Sequence, residues 1–372
     1  MKLWNRLLTT LLLVLFLSSC GSEVTTDPKG DIKALLNESI YDIYLNTGGN
    51  LTVAQVLDIG TEHAKISTPV KIKIRDDGGI LHSIESVGDK KIYASIYDRT
   101  GGRSDKRIKV FQEGVQSNVI NTNMTGPNRM IWDEAYGKMY VAYAFTPKKD
   151  GIPMAIIDTK LDKEIGKVMI KGAALFYKLH GDYLYVIVTV ANKMGYKDVP
   201  DNYILSINRI TGQTQIVGST GKLENPKGLA VNDKGIFVIT IKDDPTDFKT
   251  SKLKWYSTSG DLVSEFPLDP GARDIVINNQ GTAYISHNDK SVHSDMNGSQ
   301  ITVFDTKNKK LISKLKGFKS PTELVLVDQY LFVLNDRDSS ISIVNTNSNK
   351  VIETIKMDSG MFPASLEVIK QK

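Results

Sequence analysis

Residues 320–357 read SPTELVLVDQYLFVLNDRDSSISIVNTNSNKVIETIKM, and the architecture of the chain follows from this segment. It contains four short runs typical of β-strands, at residues 324–327, 330–334, 341–344 and 351–357, which turn-forming residues separate. The second run is apolar at every position, which is typical of a strand that is buried on both faces. Four such strands form an antiparallel sheet with two apolar faces, so the sheet requires copies of itself to pack against.

The same unit recurs upstream at intervals of about 45 to 50 residues, which is the period of a propeller blade. Six complete units occupy residues 79–357. Their second strands are predicted at residues 91–97, 139–143, 183–188, 236–240, 282–286 and 330–334. Residues 362–369 look like a first strand with no successors, and residues 40–75 look like three strands without a first one. Together they predict a seventh unit, so that pairing of the N- and C-terminal segments closes the ring and removes exposed sheet edges.

Two motifs recur within the units. FVLN at 332–335 is followed by NT at 345–346, and YIS at 284–286 is followed by DT at 305–306. These motifs resemble the YVTN-type repeat, in which an aromatic-Val second strand is followed by an Asp-Thr turn after the third strand. The resemblance covers about residues 40–370. It implies an all-β fold, namely a seven-bladed β-propeller of four-stranded antiparallel blades, and it implies no single activity. Two units depart from the motif, with Asn-Arg at 208–209 and Ser-Thr at 257–258.

Residues 1–19 have the form of a secretory signal peptide, with Lys2 and Arg6 ahead of an apolar run at 7–17. That run is shorter than the roughly 20 residues that a membrane span needs, although an uncleaved membrane anchor is the alternative. LSSC at 17–20 resembles the lipobox of bacterial lipoproteins, in which the Cys receives a diacylglyceryl group and its amino group an acyl chain such as palmitate. Cys20, the predicted lipidation site, is the only cysteine in the chain, so no internal disulfide forms.

The predicted organisation is therefore a signal peptide at 1–19, the lipidated Cys20 with a flexible spacer at 20–38, and a propeller at 39–372. We expect an extracytoplasmic monomer that a lipid anchors to a bacterial membrane, at the cell surface or in the periplasm. The formal net charge of +5 is too small for the sequence to indicate nucleic-acid binding.

Long connections between second and third strands are the first candidate site. They lie at residues 191–202, 242–252 and 288–300, on the propeller face where the first strands begin. The candidate loop-face residues are Lys193, Tyr196, Lys197, Asp243, Asp244, Asp247, Phe248, His293 and Asp295. Solvated, variable surface loops are the alternative interpretation.

The mouth of the central channel is the second candidate site. Residues that follow the start of each first strand predict its lining, and they are His82, Asn128, Arg129, Arg273, Asp274 and Glu323. Arginines and carboxylates around a channel bind polar or anionic ligands through paired hydrogen bonds. The alternative is that these charges pair with one another and only line the channel.

Two functions follow from these sites. The favoured one is a non-catalytic scaffold that binds an unidentified protein, peptide or polymer and that requires no cofactor. The alternative is a metal-dependent lactonase or hydrolase. Gluconolactonase-type propellers hold a divalent ion with a carboxylate, an Asn and an Asp from first strands, and Glu323, Asn128 and Asp274 are the residues of this chain that the resemblance suggests. We therefore lean towards a non-enzymatic role, with a divalent ion required only by the alternative.

Overall fold

The computed structural model describes residues 39–46, 50–73, 80–88, 90–97, 105–143, 150–190, 196, 198–217, 223–241, 250–288, 298–357 and 365–371. The predicted signal peptide, Cys20 and the spacer lie outside the described residues.

Seven antiparallel sheets form the predicted seven-bladed propeller. Blade 1 contains β1 (Tyr41–Asn46), β2 (Asn50–Ile59), β3 (Ala64–Ile66), β4 (Val70–Lys73) and β29 (Ser365–Lys370). Blade 2 contains β5 (Ile80–Val87), β6 (Lys91–Tyr97), β7 (Arg107–Gln112) and β8 (Val115–Asn121). Blade 3 contains β9 (Pro127–Asp133), β10 (Lys138–Tyr143), β11 (Ile152–Asp158) and β12 (Lys163–Ile170). Blade 4 contains β13 (Ala173–His180), β14 (Tyr183–Thr189), β15 (Asn202–Asn208) and β16 (Thr214–Val217). Blade 5 contains β17 (Pro226–Asn232), β18 (Gly235–Ile241), β19 (Ser251–Tyr256) and β20 (Leu262–Leu268). Blade 6 contains β21 (Ala272–Ile277), β22 (Thr282–His287), β23 (Gln300–Asp305) and β24 (Lys310–Lys316). Blade 7 contains β25 (Pro321–Val327), β26 (Tyr330–Asn335), β27 (Ser340–Asn345) and β28 (Lys350–Lys356).

Each blade is covered on both faces by its neighbours. Successive side chains of a strand point to opposite faces, so Phe332 packs against blade 1 whereas Val333 packs against blade 6. One apolar cluster fills each of the seven blade interfaces. The fully apolar second strand at 330–334 is therefore confirmed as a strand with two buried faces.

The Asp-Thr motif has a clear structural role. The carboxylate of Asp305 accepts the backbone N–H groups of two following residues, both at 2.9 Å, and forms an Asx turn. The hydroxyl of Thr306 donates to the carbonyl of Gly281 at 2.7 Å and ties this turn to the start of β22. The equivalent turn of blade 7 receives the hydroxyl of Tyr284 from blade 6, with its oxygen 3.3 Å from the carbonyl of Thr346. The repeat motif thus joins strands within a blade and blades within the ring.

Pairing of the two chain ends closes the ring, as the sequence predicts. Strand β29 pairs with β1 in antiparallel register, from the pair Tyr41–Lys370 to the pair Asn46–Ser365. Beyond the strand, the side-chain amide of Gln371 donates to the buried carboxylate of Asp42 at 2.7 Å. The first strand of blade 1 is therefore the last strand of the chain.

The outer part of blade 1 differs from the prediction of three strands in residues 40–75, because the described residues there form four strands. Two short strands, β3 and β4, both pair with the ten-residue β2. Between them the backbone N–H of Gln55 donates to the hydroxyl of Ser67 at 3.0 Å and Ser67 N–H donates to the Gln55 carbonyl at 2.9 Å. This side-chain bond replaces one ladder hydrogen bond, which splits the outer strand in two. The described part of the chain also includes a short 3-10 helix, Glu134–Tyr136, which the sequence does not predict.

Candidate functional site

The first strands of the seven blades surround a central channel. Each first strand contacts the first strands of both neighbouring blades. The space that they enclose has a volume of 1380 Å³ and extends from residues at the starts of these strands, such as Pro226 and Thr322, to residues beyond their ends, such as Gln280 and Gln329. Ligand pockets usually measure about 300–1000 Å³, so the channel is large enough to hold a small molecule.

Charged side chains divide the wall of the channel into two arcs. Four consecutive blades, 3 to 6, each contribute one cation, and these cations are Arg129, Lys178, Lys227 and Arg273. Four consecutive blades, 6, 7, 1 and 2, each contribute one carboxylate from the first strand, and these carboxylates are Asp274, Glu323, Glu367 and Glu85. We call these two sets the basic arc and the acidic arc. Blade 6 is the only blade that belongs to both sets within the described residues.

Each carboxylate of the acidic arc accepts a hydrogen bond from the first strand of the next blade around the ring. Four hydrogen bonds of this kind are present. They join the N–H of Leu324 to Asp274 at 2.9 Å, the N–H of Leu366 to Glu323 at 2.8 Å, the hydroxyl of Ser86 to Glu367 at 2.5 Å, and the N–H of Trp132 to Glu85 at 2.8 Å. These bonds fix the carboxylates on the channel wall and join neighbouring blades. Glu323 and Glu85 each accept this bond with one oxygen, and the second oxygen has no partner among the described residues.

Burial changes the protonation of the three glutamates of the acidic arc. Loss of water raises the pKa of Glu323 to about 7, and the nearby charge of Asp274 adds to the increase while Arg129 and the Leu366 N–H oppose it. Burial also raises the pKa of Glu367. The pKa of Glu85 is raised by burial and by the neighbouring Glu367 carboxylate. Glu323 and Glu367, both with a pKa of about 7, therefore change charge near neutral pH, unlike carboxylates in water.

Three cations of the basic arc form no ion pair with the acidic arc. Arg129, Lys178 and Arg273 form no ion pair with any described carboxylate. The guanidinium of Arg129 lies 5.1 Å from the ring centroid of Phe176, which holds it by a cation–π contact. The interpretation that the channel charges simply pair with one another therefore fails for these three cations.

Five of the six predicted mouth residues line the channel: His82, Arg129, Arg273, Asp274 and Glu323. Asn128 does not line it. The Asn128 carbonyl accepts the hydroxyl of Ser95 at 3.1 Å, and its side-chain oxygen is buried. Whether the five residues bind a ligand stays a prediction.

Four charged residues of the wall were missed by the sequence analysis, namely Glu85, Lys178, Lys227 and Glu367. The prediction counted a few positions from the start of each first strand, whereas Glu85 and Lys178 lie near the other end of theirs. Charges that interrupt the otherwise apolar first strands were the available signal, because a charge on such a strand has only the channel to face.

The loop-face prediction falls mainly on residues 191–195, 197, 242–249 and 289–297, which lie outside the described residues. Tyr196 is described, and it packs against the apolar cluster between blades 3 and 4. For this one residue, a role in packing explains the side chain without a ligand. The other loop residues stay predictions.

The proposed metal ligands do not converge. Glu323 and Asp274 lie on adjacent blades, but Asp274 accepts two backbone N–H bonds and Asn128 lies away from the channel. In the described part of the chain, no group of three or more His, Cys, Asp or Glu side chains is arranged to hold a metal ion. The metal site stays a prediction without a set of ligands that meet.

Among the described residues, none of the helical structure is long and apolar enough to cross a bilayer.

Comparison with known proteins supports the fold. No protein-family profile matches the chain, and no curated protein sequence matches it. Hydrazine synthase of Kuenenia stuttgartiensis is structurally similar, with a TM-score of 0.56 and 11% identity over 76% of this chain and 92% of that chain. AztD of Citrobacter koseri has a TM-score of 0.50 and 12% identity over 89% of this chain and 98% of that chain. At these identities the similarity concerns the propeller fold alone.

Proposed function

We propose that this chain is a lipid-anchored, extracytoplasmic binding protein that holds a small polar ligand in the central channel. One observation carries the proposal. A channel of 1380 Å³ has cations and carboxylates on its wall, and Arg129, Lys178 and Arg273 form no ion pair with the described carboxylates. Cations that face a channel without an ion-pair partner can bind the anionic group of a ligand through paired hydrogen bonds.

Lipid anchoring is the part of the proposal that rests on sequence. The lipobox-like LSSC at 17–20 and the polar spacer that follows support it. The test is Cys20→Ser, which should abolish incorporation of labelled fatty acid and release the protein from the membrane fraction. Continued membrane association and labelling of the variant would contradict the anchor.

Ligand binding is tested by whether the purified protein retains a small molecule from a cell extract. The full-length protein in a non-ionic detergent is equilibrated with an envelope extract of a bacterium that expresses it, desalted rapidly, and analysed by mass spectrometry for bound small molecules. Arg129→Glu is the channel variant, because Arg129 is exposed to the channel and forms no ion pair. Lys350→Glu, on the exposed outer strand β28, is the matched control.

The expected result is a small molecule that the wild type and Lys350→Glu retain and Arg129→Glu loses. Equal retention by all three proteins would place the ligand outside the channel. Retention by none would contradict a small-molecule role and return attention to the loop face.

The metal-dependent hydrolase is the second candidate, and one observation favours it. Glu323 lies in the channel with a pKa of about 7, which suits a group that transfers protons at neutral pH. The same shift follows from burial against the neighbouring blade, so it does not require catalysis. A rise in melting temperature with calcium, magnesium, manganese or zinc that Glu323→Gln abolishes would favour this candidate over simple binding.

A further inference from the structure

We propose that the channel selects a dipolar ligand, which is a molecule that carries an anionic group and a cationic group at separate ends. Its anionic end lies against the basic arc, and its cationic end lies against the part of the acidic arc that blades 7, 1 and 2 contribute. This inference rests on the proposed ligand-binding function and specifies the class of ligand.

The division of charge around the wall is the first argument. Every cation that lines the channel within the described residues belongs to blades 3 to 6, and every carboxylate belongs to blades 6, 7, 1 and 2. Two further carboxylates of the lining, Asp328 and Asp336, directly follow strands β25 and β26 of blade 7 and so also lie on the acidic side. The wall therefore has one positive side and one negative side, rather than alternating charges.

Availability of the basic arc is the second argument. Arg129 and Arg273 are exposed to the channel, and Lys178 is half-buried on its wall. None of the three forms an ion pair with a described carboxylate. The contact between Arg129 and Phe176 fixes the guanidinium while leaving its N–H donors for an anion, and a guanidinium binds a carboxylate through two parallel hydrogen bonds.

Availability of the acidic arc is the third argument. Glu323 and Glu85 each hold a neighbouring blade with one oxygen, which leaves the other oxygen for the channel. Two oxygens from carboxylates on nearby blades are suitable acceptors for the N–H groups of an ammonium ion. The carboxylates are fixed before a ligand arrives, because backbone N–H groups and the Ser86 hydroxyl orient them.

Interaction across the channel is the fourth argument. Arg129 stabilises the charged form of Glu323, and Lys178 does the same for Glu85 and Glu367. Arg129 and Lys178 therefore influence the acidic arc over a distance without forming ion pairs with it. A ligand with one sign of charge gains from one arc and is repelled by the other, whereas a dipolar ligand gains from both.

The test uses probes that differ only in their charged ends. The full-length protein in a non-ionic detergent is titrated by calorimetry, at low ionic strength and pH 8, with ε-aminohexanoate, hexanoate and hexylammonium. Glycine, γ-aminobutyrate and an eight-carbon ω-amino acid extend the series to other charge separations. We expect at least one amino acid of the series to bind about tenfold or more tightly than both hexanoate and hexylammonium, and to lose affinity in high salt.

Two variants assign the ends of the ligand. Arg129→Gln should weaken the amino acid and hexanoate and leave hexylammonium unchanged. Glu323→Gln should weaken the amino acid and hexylammonium and leave hexanoate unchanged, and it keeps an oxygen that accepts the Leu366 N–H. Lys350→Gln on the outer strand is the matched control and should change none of the affinities.

The remaining outcomes overturn the inference. Hexanoate or hexylammonium binding as tightly as the best amino acid would contradict it, as would the absence of binding by the whole series. The wild type could instead retain an envelope molecule that carries only one sign of charge, and Arg129→Glu could lose it. In that case the binding function stands and only the dipolar inference fails. If no molecule is retained, both proposals fail.

Discussion

Removal of the last strand is the change that most severely tests the closed ring. Strand β29 (Ser365–Lys370) pairs with β1 over six residue pairs and completes blade 1. It also buries Leu366, Val368 and Ile369, which are 3%, 6% and 6% exposed. Full burial of such a side chain contributes about 1.5–3 kcal/mol, so the three contribute about 5–9 kcal/mol together. Domains are usually stable by about 5–15 kcal/mol in total, so deletion of residues 362–372 should leave little or no stable fold.

The assay combines thermal unfolding by circular dichroism with light scattering on a sizing column. The truncated protein should lose its cooperative transition or associate through the exposed edge of β1, because an unpaired strand edge recruits other chains. Addition of a peptide of residues 362–372 should restore the monomer. The control is Val351→Ala on an outer strand, at a side chain 46% exposed, which should change stability by less than about 1 kcal/mol. A truncated protein that stays monomeric with an unchanged melting temperature would refute ring closure as a source of stability.

Three further predictions concern single residues. The folded protein keeps a proton on Glu323 up to about pH 7, whereas the unfolded chain loses it near pH 4.3, so this group stabilises the fold at low pH and its contribution decreases as the pH rises from 4.3 to 7. Urea unfolding should therefore show that the wild type loses stability between pH 5 and pH 8, and that Glu323→Gln loses about 3 kcal/mol less over the same interval. An equal loss in both proteins would contradict the raised pKa of Glu323. Arg209→Ala leaves the fully buried carboxylate of Asp133 without its partner at 2.6 Å and should cost about 3–5 kcal/mol in unfolding free energy, whereas Lys90→Ala at an exposed ion pair should cost about 1 kcal/mol or less. Gly235 has a φ of 139° and a Cβ there would lie 2.1 Å from a backbone oxygen of β19, so Gly235→Ala should lower the melting temperature markedly, and an unaltered melting curve would show that blade 5 adjusts freely.

The fold was predictable because its main forces are local and periodic. A run such as residues 330–334, apolar at every position, has no polar face to give to water, so it requires a neighbouring sheet on each side. Asp305 and Thr306 form a turn whose hydrogen bonds need only nearby residues. These requirements recur in each unit, and a repeated unit with two apolar faces reaches a closed form only as a ring.

The division of channel charge was not predictable in the same way. In blades 2 to 7, the register between the first and second strands shifts at a β-bulge near the start of the first strand. A bulge changes which side chains face the channel, so counting positions from the strand start gave Asn128 along with its neighbour Arg129. Counting only the first few positions of each strand also missed Glu85 and Lys178, which lie near the ends of β5 and β13. The distribution of the charges between the two halves of the ring then depends on which blades lie side by side, which is a property of the closed structure.

The measurement that tests the central claim most directly is methyl NMR of the labelled protein with the retained ligand or the best amino acid of the probe series. Ile131, Leu175 and Val325 line the channel on three different blades, whereas Leu161 and Val351 lie on the outer surface at 65% and 46% exposure. If the channel is the binding site, saturating ligand shifts the methyl signals of the first group and leaves those of the second group unchanged. Shifts confined to methyl groups outside the channel would contradict the account.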